Sequence, residues 1–273
     1  MPGSAVCLSS RTTSRNIHCD CKYYHKHPAL IDLHRRQKRQ GPGSDSVVEQ
    51  VIKLSGLDKR GHLKIADIGC GTGAASLQLA RHLNADIVAV DFLQEFLDTL
   101  EVRAQEAHVS NSITTRKASM DDLPFENASF DVIWSEGAIY NIGFERGARE
   151  WARFLRPRGV LVASEITWTT ASRPAELQQY WDSAYPEIDT TSNKIAVLEN
   201  CGYSPVGYFT LSQECWLNNY YRPLEESFDA FLNRNGNSET ARALVAAERE
   251  EISLYTKYRD YYSYGMYIAE KRP

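Results

Sequence analysis

The chain has 273 residues, 42% hydrophobic and 24% charged, enough for one substantial globular core with a lid. A net charge of −4 gives no global basic field for nucleic acid. No apolar run approaches the roughly 20 residues that span a bilayer, and six scattered cysteines read as reduced cytoplasmic thiols rather than a disulfide framework.

Residues 1–28 read as a disordered tail without a hydrophobic signal core. Arg11 and Arg15, with no acid before Asp20, also fit a mitochondrial presequence, a weaker reading than a plain tail. His18, Cys19, Cys21, His25 and His27 cluster there, but their spacing fits no standard zinc pattern. From Pro28 to Arg39 the chain is basic and helix-like, with Leu30, Leu33 and His34 on one side. Gly41-Pro42-Gly43-Ser44 breaks that helix, and Ser44 or Asp45 caps a second one through Val47, Val48, Val51 and Ile52.

From residue 63 strands and helices alternate, the pattern of an α/β parallel sheet. The predicted strands are Leu63–Ile68, Ile87–Val90, Ile113–Arg116, Phe130–Trp134 and Gly159–Ser164. Helices start at Ala74, Gln94 and Phe144. After Thr167 aromatic-rich helices occupy 174–201, and Val206–Leu211 is a sixth strand. Two helical segments fill 216–260, and Tyr264–Ala269 is a last strand. His34, His62, His82 and His108 fall on faces that read as solvated.

The densest signal lies between the first strand and its helix. Asp67-Ile68-Gly69-Cys70-Gly71-Thr72-Gly73 is a glycine turn whose backbone can approach a ligand closely, feeding a helix N-terminus with free amides. Dinucleotide sites use G-x-G-x-x-G, whereas this turn is spaced G-x-G-x-G. Asp67 inside it would repel a pyrophosphate and suits a ligand bearing an amine. S-adenosylmethionine, with an ammonium, a sulfonium and no phosphate, meets that condition. Three further features fall at carboxyl ends of strands, where open parallel sheets bind ligands. They are Asp91, at the distance where a carboxylate meets ribose hydroxyls, the run Ser119-Met120-Asp121-Asp122-Leu123-Pro124-Phe125, and Ser135-Glu136-Gly137-Ala138.

Together with Ser129-Phe130-Asp131-Val132 and Leu155-Arg-Pro-Arg-Gly159, these motifs resemble class I S-adenosylmethionine-dependent methyltransferases over about residues 40–270. Within that superfamily the chain resembles the ubiquinone/menaquinone-type small-molecule branch. It is most similar to uncharacterised bacterial methyltransferases carrying Arg39-Gln-Gly-Pro-Gly-Ser44 and Trp134-Ser-Glu-Gly-Ala-Ile-Tyr-Asn-Ile-Gly-Phe-Glu-Arg-Gly147. The resemblance implies a doubly wound, seven-stranded, mostly parallel Rossmann-like sheet with the last strand antiparallel. It implies a single domain over 29–273, with helical cap elements at 29–55, 168–200 and 213–260.

It also implies roles. Gly69, Cys70, Gly71 and Gly73 line the cofactor's methionine and ribose, and Asp67 holds its amino group. Asp91 accepts the ribose hydroxyls, and Phe92 lies against the adenine. The Met120 backbone reads the adenine edge. Relatives often carry Asp where this chain has Ser119, and Asp121 stands two residues on. Ser135 begins the floor under the methyl group, while Gln40, Gly41 and Gly43 fold over the methionine end. Glu136 is the first candidate for a base or for gripping a cationic substrate, with Tyr140 and Glu165 second. Asn141, Trp168, Tyr185, Trp216 and Tyr220 are candidates for the acceptor pocket, although aromatics at helical spacing also pack plain cores.

Ser135-Glu136-Gly137-Ala138 stands where nucleic-acid amino-methylating enzymes carry an Asn/Asp-Pro-Pro-aromatic run, and no Pro-Cys nucleophile is present. A small-molecule acceptor follows, with no metal, no nucleic-acid partner and a monomeric or homodimeric state. Two other readings stand beside this one, a catalytically silent S-adenosylmethionine-binding protein and an NAD(P)-dependent oxidoreductase.

Overall fold

A computed structural model describes residues 28–273. The expected tail, apart from Pro28, and the Cys/His cluster within it lie outside the described residues. Eight strands form one sheet: β1 (Leu63–Ile68), β2 (Ala85–Asp91), β3 (Ile113–Lys117), β4 (Phe130–Ser135), β5 (Leu155–Trp168), β6 (Asp189–Thr190), β7 (Tyr203–Thr210) and β8 (Tyr262–Lys271). The order is β3-β2-β1-β4-β5-β8-β7, with β6 pairing β5 off this path. All pairings are parallel except those of β8 with β5 and β7. The seven-stranded sheet with an antiparallel last strand is therefore present, and β6 is a two-residue addition that the sequence pattern did not mark.

The apolar alternation of the strands fills both faces. Ile65, Ile87, Val132, Trp134, Val160 and Val162 point to one side, against the Asp45–Ser55 and Ala74–His82 helices and the C-terminal helices. Ala66, Ile68, Val90, Ile133, Leu161 and Ala163 point to the other, against Phe144, Ala148 and Trp151 of the Phe144–Trp151 helix. β5 is longer than the predicted Gly159–Ser164 because β8 pairs it through nine residues, from Val160↔Glu270 to Trp168↔Tyr262.

The first helix ends at His34, not at Arg39. Gln40 turns its side-chain amide back onto the carbonyls of His34 (3.0 Å) and Gln37 (3.2 Å), so residues 35–44 leave the helix as a strap. Ser44 then caps the Asp45–Ser55 helix, its hydroxyl accepting from Val47 N at 3.1 Å. His34 is a correction to the solvated reading. It is buried and bonds Glu248 of the Glu239–Tyr258 helix at 3.2 Å, because Leu30 and Leu33 turn its helix face into the core. His62, His82 and His108 are solvent-accessible as expected.

The glycine at 73 is a packing requirement. Its φ is +86°, and a Cβ there would stand 2.0 Å from Leu100 Cδ1 in the Gln94–Glu106 helix. Gly73→Ala is expected to cost about 2–4 kcal/mol of unfolding free energy, combining left-handed strain with overpacking. Urea denaturation checks this, and a loss below about 0.5 kcal/mol would show that the helix yields without penalty.

Candidate active site

The carboxyl ends of β1, β2 and β4 open into one cleft. Its floor is the glycine turn, with Asp67, Gly69, Cys70 and Gly71 in the lining. Asp91, Phe92, Leu93 and Phe96 follow β2, and Ala118 and Met120 follow β3. Glu136, Gly137, Ala138, Tyr140 and Asn141 follow β4. The strap closes the cleft with Arg39, Gln40, Gly41 and Pro42.

Asp91 organises the turn. Its Oδ2 accepts from Gly71 N at 2.9 Å and its Oδ1 from Leu93 N at 3.0 Å. Burial pushes its carboxyl above the usual range, and these amides pull it partly back. Asp67 is 1% exposed, and its Oδ2 accepts from Ser76 Oγ at 2.5 Å. Burial lifts it to about 7; the Ser76 hydroxyl opposes that rise, and the negative charges of Glu136 and Asp91 add to it. Glu136 accepts from Trp134 Nε1 at 3.0 Å and from Arg39 Nη1 at 3.3 Å. Its carboxyl is raised by burial, against the pull of Arg39. Three carboxylates thus line the cleft, and Arg39 is its one cation among the described residues.

The strap is tied to the turn by contacts distant in sequence. Thr72 N and Oγ1 donate to Gln40 Oε1 at 2.9 and 3.1 Å. Gly71 has φ +56°, and a Cβ there would fall 2.4 Å from that Gln40 oxygen, so glycine admits the strap. Arg103 donates to Gln37 O at 2.8 Å and also bonds Thr72 Oγ1. Asn219, in the π-helical stretch Leu217–Tyr221, donates to Gly43 O at 3.0 Å.

Of the residues singled out in the sequence, Gln40, Gly41, Asp67, Gly69, Cys70, Gly71, Asp91, Phe92, Met120, Glu136, Tyr140 and Asn141 meet in the cleft. Others lie behind it. Gly73 packs on Leu100. Ser135 donates to Ile68 O at 2.9 Å and joins the ends of β4 and β1. Ser119 bonds Asp121 in the loop after β3. Gly43 flanks the Arg39–Glu136 contact.

Glu165 is not brought to the cleft. It is buried behind the lining, accepting from Tyr185 OH at 2.7 Å and pairing with Lys194 at 2.9 Å, with burial raising its carboxyl. Trp168, Tyr185, Trp216 and Tyr220 are buried in the apolar core. Trp216 stacks on Tyr255 at 4.3 Å and donates to Ser263 Oγ at 2.9 Å. Arg39 and Phe96, absent from the expected site, do line the cleft. Arg39 had a signal, since it opens the Gly-Pro-Gly break.

A strand, glycine turn and helix leading to an acidic cleft at the sheet's carboxyl ends define a Rossmann-like methyltransferase architecture. Residues 66–163 match the methyltransferase domain family. A solved S-adenosylmethionine-dependent methyltransferase from Geobacter sulfurreducens, in complex with S-adenosyl-L-homocysteine, shares the fold. Its TM-score is 0.77 at 18% identity, covering 90% of this chain and 98% of that one. Residues 66–163 thus carry the methyltransferase-domain match, and the shared fold extends over most of the chain.

Among curated relatives, a ubiquinone/menaquinone biosynthesis C-methyltransferase of Geobacter sp. (strain M21) is 30% identical over 44% of this chain and 51% of its own length. The 27-O-demethylrifamycin SV methyltransferase of Amycolatopsis mediterranei (strain S699) is 28% identical over 42% of this chain and 43% of its own. The match to these relatives thus spans about half of their length or less.

Proposed function

We propose that this protein is an S-adenosylmethionine-dependent methyltransferase acting on a small-molecule acceptor. The observation that carries the reading is the cleft's charge, with Asp67, Asp91 and Glu136 facing a single guanidinium. Such a lining favours a donor bearing an ammonium and a sulfonium and opposes a pyrophosphate, which disfavours the nicotinamide alternative.

Asp91 holds the ribose hydroxyls on the lone pairs that Gly71 and Leu93 leave available. Asp67 meets the amino group, Phe92 packs on the adenine, and the Met120 backbone reads its edge. Glu136, Tyr140 and Asn141 form the acceptor side. Glu165, Tyr185, Trp168, Trp216 and Tyr220 shape that side from behind. When bound, the donor supplies a methyl group already activated on sulfur. The protein's task is to hold a nucleophile collinear with it and exclude water, positioning that is worth roughly 7–11 kcal/mol.

The two relatives named above bear the names of a carbon methyltransferase and an oxygen methyltransferase, so the acceptor atom does not follow from kinship. Among the described residues no helix is long and apolar enough to cross a membrane. A cytoplasmic location and a monomeric or homodimeric state complete the reading; the free thiols Cys70, Cys201 and Cys215 agree with a reducing compartment.

Calorimetric titration tests the donor site. S-adenosylmethionine and S-adenosylhomocysteine are expected to bind and NAD to give no heat. Binding of NAD alone would overturn the reading. Transfer of labelled methyl to a pooled metabolite extract separates an enzyme from a silent binding protein.

A further inference from the structure

We infer that the methyl acceptor is a small amine that docks on Glu136 as its ammonium, releases that proton to solvent, and then attacks the methyl carbon with the freed nitrogen lone pair as the carbon–sulfur bond of the donor breaks. The inference rests on the methyltransferase reading and adds its substrate class.

Glu136 has one firm partner and one stretched one. Trp134 Nε1 fixes Oε1 at 3.0 Å, whereas Arg39 Nη1 reaches Oε2 at 3.3 Å. Charge-assisted contacts of this kind usually close to about 2.7–2.9 Å. The other arm of the guanidinium is engaged elsewhere, with Arg39 Nη2 at 3.0 Å from Asp45 Oδ1. One positive charge therefore serves two carboxylates, and the trio keeps a net charge of about −1. Asp45 is solvated, with its side chain 64% exposed, while Glu136 is only 13% exposed and takes the larger share of the missing compensation.

A buried carboxylate with half a counter-ion gains from a further cation. Gly43 keeps the pair uncovered, since a Cβ there would stand 2.8 Å from Arg39 Nη1 and 3.3 Å from Glu136 Oε2. Tyr140 lines the same cleft and is an aromatic group suited to an alkylammonium.

The other acceptor classes fit less well. A carboxylate or phosphate acceptor would enter a cleft holding Asp67, Asp91 and Glu136 against Arg39 alone. A phenol or alcohol acceptor is neutral and brings no cation to offset the net charge that Glu136 shares with Arg39 and Asp45.

The test uses the full chain with methyl-labelled S-adenosylmethionine and three matched panels: small primary and secondary amines, phenols, and carboxylic acids. Wild type, Glu136→Gln and Glu136→Asp are compared. Label is expected on amines. Glu136→Gln should raise the KM for the best amine at least about tenfold while kcat changes less than about threefold, and Glu136→Asp should recover part of the loss. Far-ultraviolet circular dichroism and urea midpoints close to those of wild type show the three proteins folded. Label confined to phenols or acids, no labelled amine, or an unchanged KM in Glu136→Gln would each overturn the inference. Failure of the wild type to bind S-adenosylhomocysteine would instead overturn the methyltransferase reading beneath it.

Discussion

Replacing Asp91 by alanine is expected to weaken S-adenosylhomocysteine binding at least about 100-fold, and to destabilise the protein without ligand by about 2–4 kcal/mol. Both effects follow from one carboxylate with two duties. Its oxygens accept from Gly71 N at 2.9 Å and Leu93 N at 3.0 Å, so the side chain holds the glycine turn against the loop after β2. Truncation leaves two amides without their acceptor, and each such loss costs about 1–3 kcal/mol.

In the proposed complex the same oxygens accept both ribose hydroxyls. A hydrogen bond to a charged group contributes about 1.5–3 kcal/mol, so losing two accounts for a factor of 100 or more. Asn is no remedy, because its NH₂ would face an N–H donor where Asp91 now presents an oxygen. Calorimetry with S-adenosylhomocysteine and urea denaturation read the two duties separately. If Asp91→Ala loses stability but keeps affinity within about threefold, the ribose role is wrong and the residue is a turn clamp only.

The parts of this site that were legible in the sequence are those formed by neighbours along the chain. The glycine turn, the strand ends and the acid after β2 lie on consecutive elements, and a parallel sheet brings its carboxyl ends together whatever the loops do. The strap was legible only as a helix break. Its purpose depends on Gln40 reaching Thr72 and on Arg103 reaching Gln37, partners 32 and 66 residues apart.

Burial of a polar side chain was less visible still. His34 pairs with Glu248 across 214 residues, and helix periodicity shows which face a histidine occupies but not what covers it. The aromatics mark the same boundary. Trp168, Trp216 and Tyr220 carry the spacing of buried residues, and that spacing is the same for a core as for a pocket wall.

Acidification is expected to weaken donor binding through Asp67. Its folded carboxyl titrates near 7, against an ordinary value of 3.8, chiefly because it is buried. In the free protein the sign is therefore inverse to that of a paired acid. Between about pH 4 and 7 the folded state holds a proton that the unfolded state has released, so this group's contribution to stability declines as pH rises through that window.

A donor ammonium beside Asp67 favours the ionised carboxylate, so binding below pH 7 must expel the proton. The dissociation constant should rise by up to about tenfold for each pH unit below 7, with close to one proton released per ligand at pH 6. Titrations of S-adenosylhomocysteine at pH 5.5–7.5, in buffers of different ionisation enthalpy, count that proton directly. Asp91 and Glu136 are also raised by burial, so the assignment needs a variant. Asp67→Asn should bind more weakly at pH 7.5, keep its Ser76 contact and lose most of the pH dependence. An unchanged pH profile in that variant would assign the proton to another carboxylate of the cleft and remove Asp67 from the amino-group site.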